Sequence, residues 1–365
     1  MKESTFVILA EGCFDVEGAK TASSAIRYLP ERVAAVLDAQ HAGCAVEDVL
    51  GFGGDIPVVG RLEEALALSP RPAALLVGVA TRGGTLPDGW HPILEAAIDA
   101  GLDVWSGLHN FLEDDPALRA RAARRGVRLR DLRRPPSDLT VATGRAGSTR
   151  AFRVLTVGTD CNVGKMTASL ELRDRLRELG VKVAFAATGQ TGILVAGGGI
   201  AVDAVVSDFV AGAAERVTLD AVRGADVVLV EGQGSLLHPG YSGVTLGLLH
   251  GSMPQAMILC DRPSRECIYG GEYDWVKIPP LDEVVAVYEE AARWIRPPVA
   301  GRVIGLCRST YDLPEAEARR LVAEAGSLTG LPVTDPIRFG VEVLAVAVRD
   351  AADRWRRESA ASEAD

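Results

Sequence analysis

A loop that carries glycines and ends in a lysine begins at Gly158, directly after the aliphatic run 152–157. In such a loop the backbone N–H groups can point at phosphate oxygens, and the start of the following helix adds partial positive charge. The Lys165 ammonium adds a full positive charge. The sequence therefore predicts a phosphate-binding P-loop of ten residues: Gly158, Thr159, Asp160, Cys161, Asn162, Val163, Gly164, Lys165, Met166 and Thr167.

Two features distinguish this loop from the common P-loop. Five residues separate Gly158 from Gly164 where the common pattern has four, a spacing that resembles the loop of dethiobiotin synthetase. Met166 stands where ordinary P-loop enzymes have the serine or threonine that binds Mg²⁺. A thioether is a poor ligand for magnesium, which prefers oxygen. We therefore predict that phosphate binding survives while metal binding is impaired, which fits the phosphates of coenzyme A in an acyl-CoA-binding site at least as well as an ATPase.

A second group of polar residues follows the aliphatic run 226–230. Glu231 ends that run, where P-loop enzymes place the Walker-B acid that holds Mg²⁺ or a catalytic water. Glu231 can equally be a general base for an amine, and His238 suits the same proton transfer near neutral pH. Six further residues are predicted to orient or bind the substrate: Gln190, Gln233, Ser235, Tyr241, Ser242 and Arg265. The alternative is a glycine-rich turn with satisfied polar groups and, for Arg265, a surface charge.

The N-terminal half offers one candidate catalytic residue. It contains no Gly-x-Gly-x-x-Gly fingerprint, so the sequence does not support dinucleotide binding there. His109 follows the predicted strand 103–105, at the edge of the sheet where open α/β folds bind ligands. Its side chain is either catalytic or a cap for a helix that begins near Phe111.

Short aliphatic runs alternate with helical stretches, which predicts an α/β protein with parallel sheets. A stretch rich in proline, glycine and arginine interrupts the pattern. We predict a Rossmann-like domain over 1–140, a linker over 141–150, a P-loop NTPase-like domain of the dethiobiotin synthetase type over 151–357, and a frayed tail over 358–365. The predicted strands are 6–9, 33–37, 56–59, 73–79, 103–105, 152–157, 181–187, 226–231, 256–260 and 302–306.

The composition excludes several classes of partner. The formal net charge of −10 opposes nucleic acid as a main partner, because a phosphate backbone attracts a basic surface. No apolar stretch reaches the roughly 20 residues needed to cross a membrane, and the N-terminus has no signal-peptide layout. The six cysteines lack metal-ligand spacing. We expect a cytoplasmic protein without a metal site that forms a homo-oligomer.

Several segments resemble one family closely. They are the P-loop 158–167, the run Glu-Gly-Gln-Gly-Ser-Leu-Leu-His-Pro at 231–239 and the run 243–252, with further matches at 106–109 and 335–340. The family is the bacterial DUF1611 family, which has a Rossmann-like N-terminal domain and a P-loop C-terminal domain and shares the Gly-Lys-Met-Thr form. Some members are D-glutamate N-acetyltransferases. The resemblance therefore implies acetyl transfer from acetyl-CoA to an amino acid.

Three functional hypotheses follow. The first is an N-acyltransferase that moves an acetyl group from acetyl-CoA to the amine of D-glutamate or an analogue. The second is an ATP-dependent ligase or small-molecule kinase of the dethiobiotin synthetase type. The third is a non-catalytic nucleotide-binding sensor.

Overall fold

The structure is a computed structural model that describes residues 5–15, 18–293 and 301–362. The chain forms two compact units. The first consists of Met1–Pro135 together with Ile193–Ala204, and the second of Pro136–Gly192 together with Val205–Asp365. The boundary at Pro135 therefore lies a few residues before the predicted one. The sequence pattern did not indicate that a second, short segment belongs to the first unit.

The first unit contains one parallel sheet of six strands in the order β3-β2-β1-β4-β5-β6. Its strands are β1 (Phe6–Leu9), β2 (Val33–Leu37), β3 (Val58–Val59), β4 (Ala74–Val77), β5 (Asp103–Ser106) and β6 (Leu129–Asp131). Its helices are α1 (Lys20–Tyr28), α2 (Val46–Leu50), α3 (Leu62–Leu66), α4 (His91–Asp99) and α5 (Pro116–Arg125). The predicted Rossmann-like α/β architecture is confirmed.

The second unit also contains a parallel sheet of six strands, in the order β12-β11-β10-β7-β9-β8. Its strands are β7 (Phe152–Gly158), β8 (Val183–Ala186), β9 (Val227–Val230), β10 (Ala256–Asp261), β11 (Arg302–Arg308) and β12 (Val333–Thr334). Its helices are α6 (Lys165–Glu178), α7 (Gln190–Ala196, which begins in this unit), α8 (Val210–Ala221), α9 (Ser242–Ser252), α10 (Leu281–Arg293), α11 (Glu315–Thr329) and α12 (Glu342–Ser362).

Strand β7 positions the candidate site. All seven of its residues are buried, and it lies between β10 and β9, so the strand order reverses at its carboxyl end. In open α/β sheets, ligands bind in the crevice at such a switch point. The P-loop starts there, and the Thr159 N–H donates to the Cys260 carbonyl of β10 at 3.0 Å.

Two helices differ from the sequence-based expectation. Helix α12 continues to Ser362, so residues 358–362 of the predicted tail are helical, because glutamate and alanine there favour a helix. Residues 363–365 lie outside the described residues. Helix α9 forms where a glycine-rich turn was the alternative, and its glycines allow close packing on α8. A Cβ at Gly251 would lie 2.1 Å from the Ala211 carbonyl oxygen.

Candidate functional site

The P-loop backbone curls through two left-handed residues. Asn162 has φ 53° and Gly164 has φ 92°, and Gly164 immediately precedes helix α6. Gly158 needs the absence of a side chain, since a Cβ there would lie 2.8 Å from Cγ2 of Val163 and 3.2 Å from Nζ of Lys165. A glycine-bearing loop that curls directly into a helix N-terminus is the arrangement that binds phosphate.

Lys165 is almost fully buried within the curve of the loop, with 7% of its surface exposed. Its Nζ donates to the Asp160 carbonyl oxygen at 2.6 Å. Burial lowers the pKa of Lys165, and the nearby Cys161, Cys260 and Asp160 oppose that shift. The Lys165 side chain therefore lies against a loop carbonyl, at the position predicted for phosphate capture.

The Asp160 carboxylate connects the P-loop to the segment after β10. Its Oδ2 accepts hydrogen bonds from Nη1 of Arg265 at 2.9 Å and from the Tyr269 N–H at 2.8 Å. Arg265 Nη1 also donates to the Cys161 carbonyl at 2.7 Å. The structure thus places Arg265 against the loop itself, where it holds the loop in shape. Its predicted contact with substrate stays a prediction.

Tyr288 of α10 forms a hydrogen bond with Gly158, the first residue of the P-loop. Its hydroxyl donates to the Gly158 carbonyl at 2.7 Å and accepts from the Leu236 N–H at 3.1 Å. The side chain is fully buried, and burial raises the pKa of Tyr288 to about 12. No sequence pattern singles out this residue, since a tyrosine in an amphipathic helix is ordinary core.

The Glu231 carboxylate is buried at the end of β9. Its Oε2 accepts from the Thr188 N–H at 2.8 Å and from the Gly189 N–H at 3.0 Å, and both residues directly precede α7. The Thr188 hydroxyl donates to the Glu231 carbonyl at 2.6 Å. A Cβ at Gly192 would lie 2.2 Å from Oε2, so the carboxylate packs on the first turn of α7. Glu231 therefore holds the loop that starts α7, and its role as a base stays a prediction.

His238 is buried between two tyrosine rings, whose centroids lie 4.5 Å (Tyr241) and 4.7 Å (Tyr273) from that of the imidazole. Its Nδ1 accepts from the Gly240 N–H at 3.0 Å, which leaves the proton of the neutral ring on Nε2. Burial and Lys165 lower the pKa of His238, although Asp160 opposes this. A neutral imidazole with a proton on Nε2 donates a hydrogen bond. A base role would require the Gly240 contact to break.

The other predicted residues around Glu231 differ in their burial and in their contacts. Ser235 is fully buried, and its hydroxyl accepts from the Leu237 N–H at 3.1 Å. The Gln233 amide lies 3.4 Å from the Thr188 hydroxyl. Tyr241 is 51% exposed beside His238, while Gln190 and Ser242 are the first residues of α7 and α9.

The last two P-loop residues lie in the first turn of α6. Met166 is buried at the start of α6, and Thr167 is half-buried one residue later.

His109 lies in the first unit, one turn beyond β5. Its N–H donates to the Gly84 carbonyl at 2.8 Å. Burial and Arg133 lower its pKa, while Asp203 raises it. The alternative of a helix cap is wrong. A single 3₁₀ turn (Leu112–Asp114) follows Phe111, and Asp131 accepts from the N–H groups of its first two residues at 2.8 and 3.1 Å.

Three side chains lie close enough to be considered as metal ligands. The ligand atoms of Asp160, Cys161 and His238 are within 4.8 Å of one another. Asp160, however, already accepts from the Arg265 guanidinium, which would repel a cation. The Gly240 N–H occupies Nδ1 of His238 and so leaves a proton on Nε2. These contacts disfavour a metal at this cluster. The absence of a metal site from the chain as a whole stays a prediction.

Comparison with known protein families covers both units. The profile of the domain of unknown function DUF1611_C, a P-loop domain, matches residues 140–345. The profile of DUF1611_N, a Rossmann-like domain, matches residues 39–135. The chain belongs to the DUF1611 family. The resemblance inferred from the loop motifs is therefore confirmed.

Relatives with assigned names and a solved structure support the same family. A D-glutamate N-acetyltransferase from Tritonibacter scottomollicae is 42% identical over 280 residues, which cover 76% of this chain and 81% of the relative. One from Pseudoalteromonas sp is 37% identical over 267 residues, covering 73% and 78%. A crystal structure of a DUF1611 family protein from Anabaena variabilis matches with a TM-score of 0.89 and 38% identity, covering 95% of this chain and 99% of that one.

No helix within residues 5–15, 18–293 and 301–362 combines the length and the apolar character needed to cross a membrane.

Proposed function

We propose that this chain is an N-acetyltransferase that transfers the acetyl group of acetyl-CoA to the amine of D-glutamate or a close analogue. The observation that carries the proposal is a P-loop with a buried lysine in which Met166 replaces the magnesium-binding hydroxyl. Such a loop suits a phosphate-bearing donor that is bound but not attacked at phosphorus. Two relatives named D-glutamate N-acetyltransferase support the reaction class.

The P-loop residues have the chemistry needed to hold the phosphates of coenzyme A. The N–H groups at the start of α6 and the Lys165 ammonium are donors. Glycines at 158 and 164 keep the inner face of the loop free of side chains. Acetyl-CoA supplies the activated acyl group as a thioester. The amine nitrogen forms a bond to the acyl carbon, the C–S bond breaks, and the amine proton leaves to a base as the thiolate is released.

Two buried groups near the P-loop are candidates for this proton chemistry. With Nδ1 bound to the Gly240 N–H, His238 offers an Nε2–H that can stabilise negative charge on an oxygen. Glu231 remains the candidate proton acceptor. It is a buried carboxylate stabilised by two backbone N–H groups.

The central experiment measures acetyl-CoA-dependent acetylation of D-glutamate in EDTA, following release of the free thiol. We expect turnover without Mg²⁺. Lys165→Ala should abolish binding of acetyl-CoA, whereas Lys182→Ala, which removes an exposed lysine just before β8, should not. The proposal is wrong if the wild-type chain binds ATP only with Mg²⁺ and does not bind acetyl-CoA.

A second candidate is an ATP-dependent ligase or small-molecule kinase of the dethiobiotin synthetase type. It is favoured by the long loop spacing and by the acid at the end of β9. This candidate requires ATP binding that depends on Mg²⁺ and formation of ADP in the presence of an acceptor. A third, the non-catalytic sensor, requires nucleotide binding with no turnover of any amine tested.

A further inference from the structure

The second unit contains a cavity of about 400 Å³ beside the P-loop. Thr159 of the loop lines it, as do Arg308 at the end of β11 and four residues of the segment after β10: Arg262, Arg265, Glu266 and Lys277. A volume of this size is typical of sites for small molecules or their parts. Because Thr159 belongs to both the loop and the cavity wall, a ligand on the loop can extend into the cavity.

The charged groups of the wall are predominantly cationic. Arg262, Arg265, Lys277 and Arg308 face two acids, Asp261 and Glu266. Two of the cations have buried partners that fix them in place. Arg308 binds Asp261 through Nη2 at 2.7 Å and through Nε at 3.0 and 3.1 Å. Arg265 binds Asp160 at 2.9 Å. These pairs form a rigid wall whose charges are largely compensated.

The partners of the other two cations, Arg262 and Lys277, are partly exposed. Arg262 stacks over the Tyr311 ring at 4.5 Å and binds Asp312, which is partly exposed, at 3.1 Å. Lys277 is exposed, and its Nζ lies 3.2 Å from a thiol sulfur, Sγ of Cys267. A thiol is a much weaker partner for an ammonium than a carboxylate or a phosphate, so an entering oxyanion improves the environment of Lys277.

We infer that this cavity binds an oxyanion carried by one of the two reactants, either a phosphate monoester or a side-chain carboxylate, and that Lys277 and Arg262 contact this oxyanion. The inference rests on the proposed function. Coenzyme A carries a 3′-phosphate in addition to the pyrophosphate that suits the P-loop, and an acidic amino acid carries carboxylates. Both sources present the same chemistry to the two cations.

Calorimetric binding to the full chain separates the two sources. The variants are Lys277→Met and, as a matched control, Lys182→Met, whose lysine lies at the amino edge of the sheet. If the phosphate occupies the cavity, Lys277→Met weakens CoA binding by about tenfold and leaves dephospho-CoA unchanged. If the side-chain carboxylate of D-glutamate occupies it, the variant weakens D-glutamate binding by a similar factor and leaves binding of D-glutamine, which carries an amide in place of that carboxylate, unchanged. Arg262→Gln should change the relative affinity for the same pair of ligands as Lys277→Met does.

The inference is overturned if Lys277→Met keeps both ratios, CoA to dephospho-CoA and D-glutamate to D-glutamine, at the values of wild type and Lys182→Met. These are binding measurements that need no turnover. A wild-type chain that transfers no acetyl group would therefore refute the proposed function while the cavity could still be tested with the same ligands.

Discussion

Nη1 of Arg265 lies 2.9 Å from Oδ2 of Asp160, and the same nitrogen lies 2.7 Å from the Cys161 carbonyl oxygen. One guanidinium therefore holds both the side chain of one P-loop residue and the backbone of the next. The Arg265 side chain is only 10% exposed and that of Asp160 is fully buried. The shape of the loop thus depends on a residue outside it.

Replacing Arg265 should weaken ligand binding through this contact. We expect Arg265→Met to raise the dissociation constant for acetyl-CoA by about tenfold, because the Asp160 carboxylate would remain buried beside the loop without its cation. Calorimetry would measure the change. Arg302→Met is the matched control, since it removes an exposed ion pair with Glu289 at the start of β11. Equal affinities in the two variants would contradict the role assigned to Arg265.

Two substitutions of Glu231 test whether its carboxylate contributes to stability, to catalysis or to both. Glu231→Ala leaves two buried N–H groups without their acceptor, at a cost of about 1–3 kcal/mol each. Glu231→Gln keeps an acceptor oxygen, so its urea denaturation midpoint should stay closer to that of wild type. If Glu231 is also the base, Glu231→Gln should bind acetyl-CoA normally and lose acetyl transfer. Full activity in the glutamine variant would exclude the base role.

Tyr288→Phe removes a hydroxyl that forms hydrogen bonds with two backbone groups. The Gly158 carbonyl and the Leu236 N–H both lose a partner, so we expect the free energy of unfolding to fall by about 1–3 kcal/mol. Affinity for acetyl-CoA should fall as well, because Gly158 begins the P-loop. Tyr28→Phe serves as the control, since Tyr28 belongs to the first unit, at the end of α1. A pair of variants with the same midpoint and affinity would show that the buried hydroxyl is dispensable.

The lowered pKa of His238 predicts a pH dependence of stability. In the unfolded chain the imidazole titrates near its ordinary value of 6.5, whereas in the folded chain it binds a proton only at lower pH. Between these two values the unfolded state holds more protons, so stability falls as pH decreases below about 6.5. His238→Asn should reduce this slope. NMR titration of the imidazole Cε1–H, assigned by its loss in the variant, gives the folded pKa directly, and a value above 6.5 would contradict the burial argument.

Much of the architecture was predictable because it depends on local patterns. Buried parallel strands read as aliphatic runs, and ten of the twelve strands among the described residues coincide with such runs. The omitted strands, β6 (Leu129–Asp131) and β12 (Val333–Thr334), each contain a single aliphatic residue and so do not show the pattern. Helix α9 was also missed, because Gly243, Gly247 and Gly251 lower its helix propensity. It forms because those glycines let α8 approach, as the 2.3 Å from a Cβ at Gly247 to Cγ1 of Val210 illustrates.

In the candidate site, the P-loop residues could be predicted from the sequence, but the contacts that hold the loop could not. A P-loop is a continuous motif, so its ten residues could be named from the sequence. The contacts that hold it come from far along the chain. Arg265 is 105 positions from Asp160, and Tyr288 is 130 positions from Gly158. Sequence spacing gives no information about such pairs. The tautomer of His238 likewise depends on where the Gly240 N–H points.

The bond from Lys165 to the Asp160 carbonyl has a consequence for ligand selection. A phosphate that reaches this ammonium exchanges one hydrogen-bond acceptor for another, so the number of hydrogen bonds to the lysine stays nearly constant. What distinguishes one ligand from another is then the negative charge it brings to a buried cation. The loop would rank its ligands by ionic valence, with inorganic pyrophosphate ahead of inorganic phosphate, and dissolved salt would weaken both.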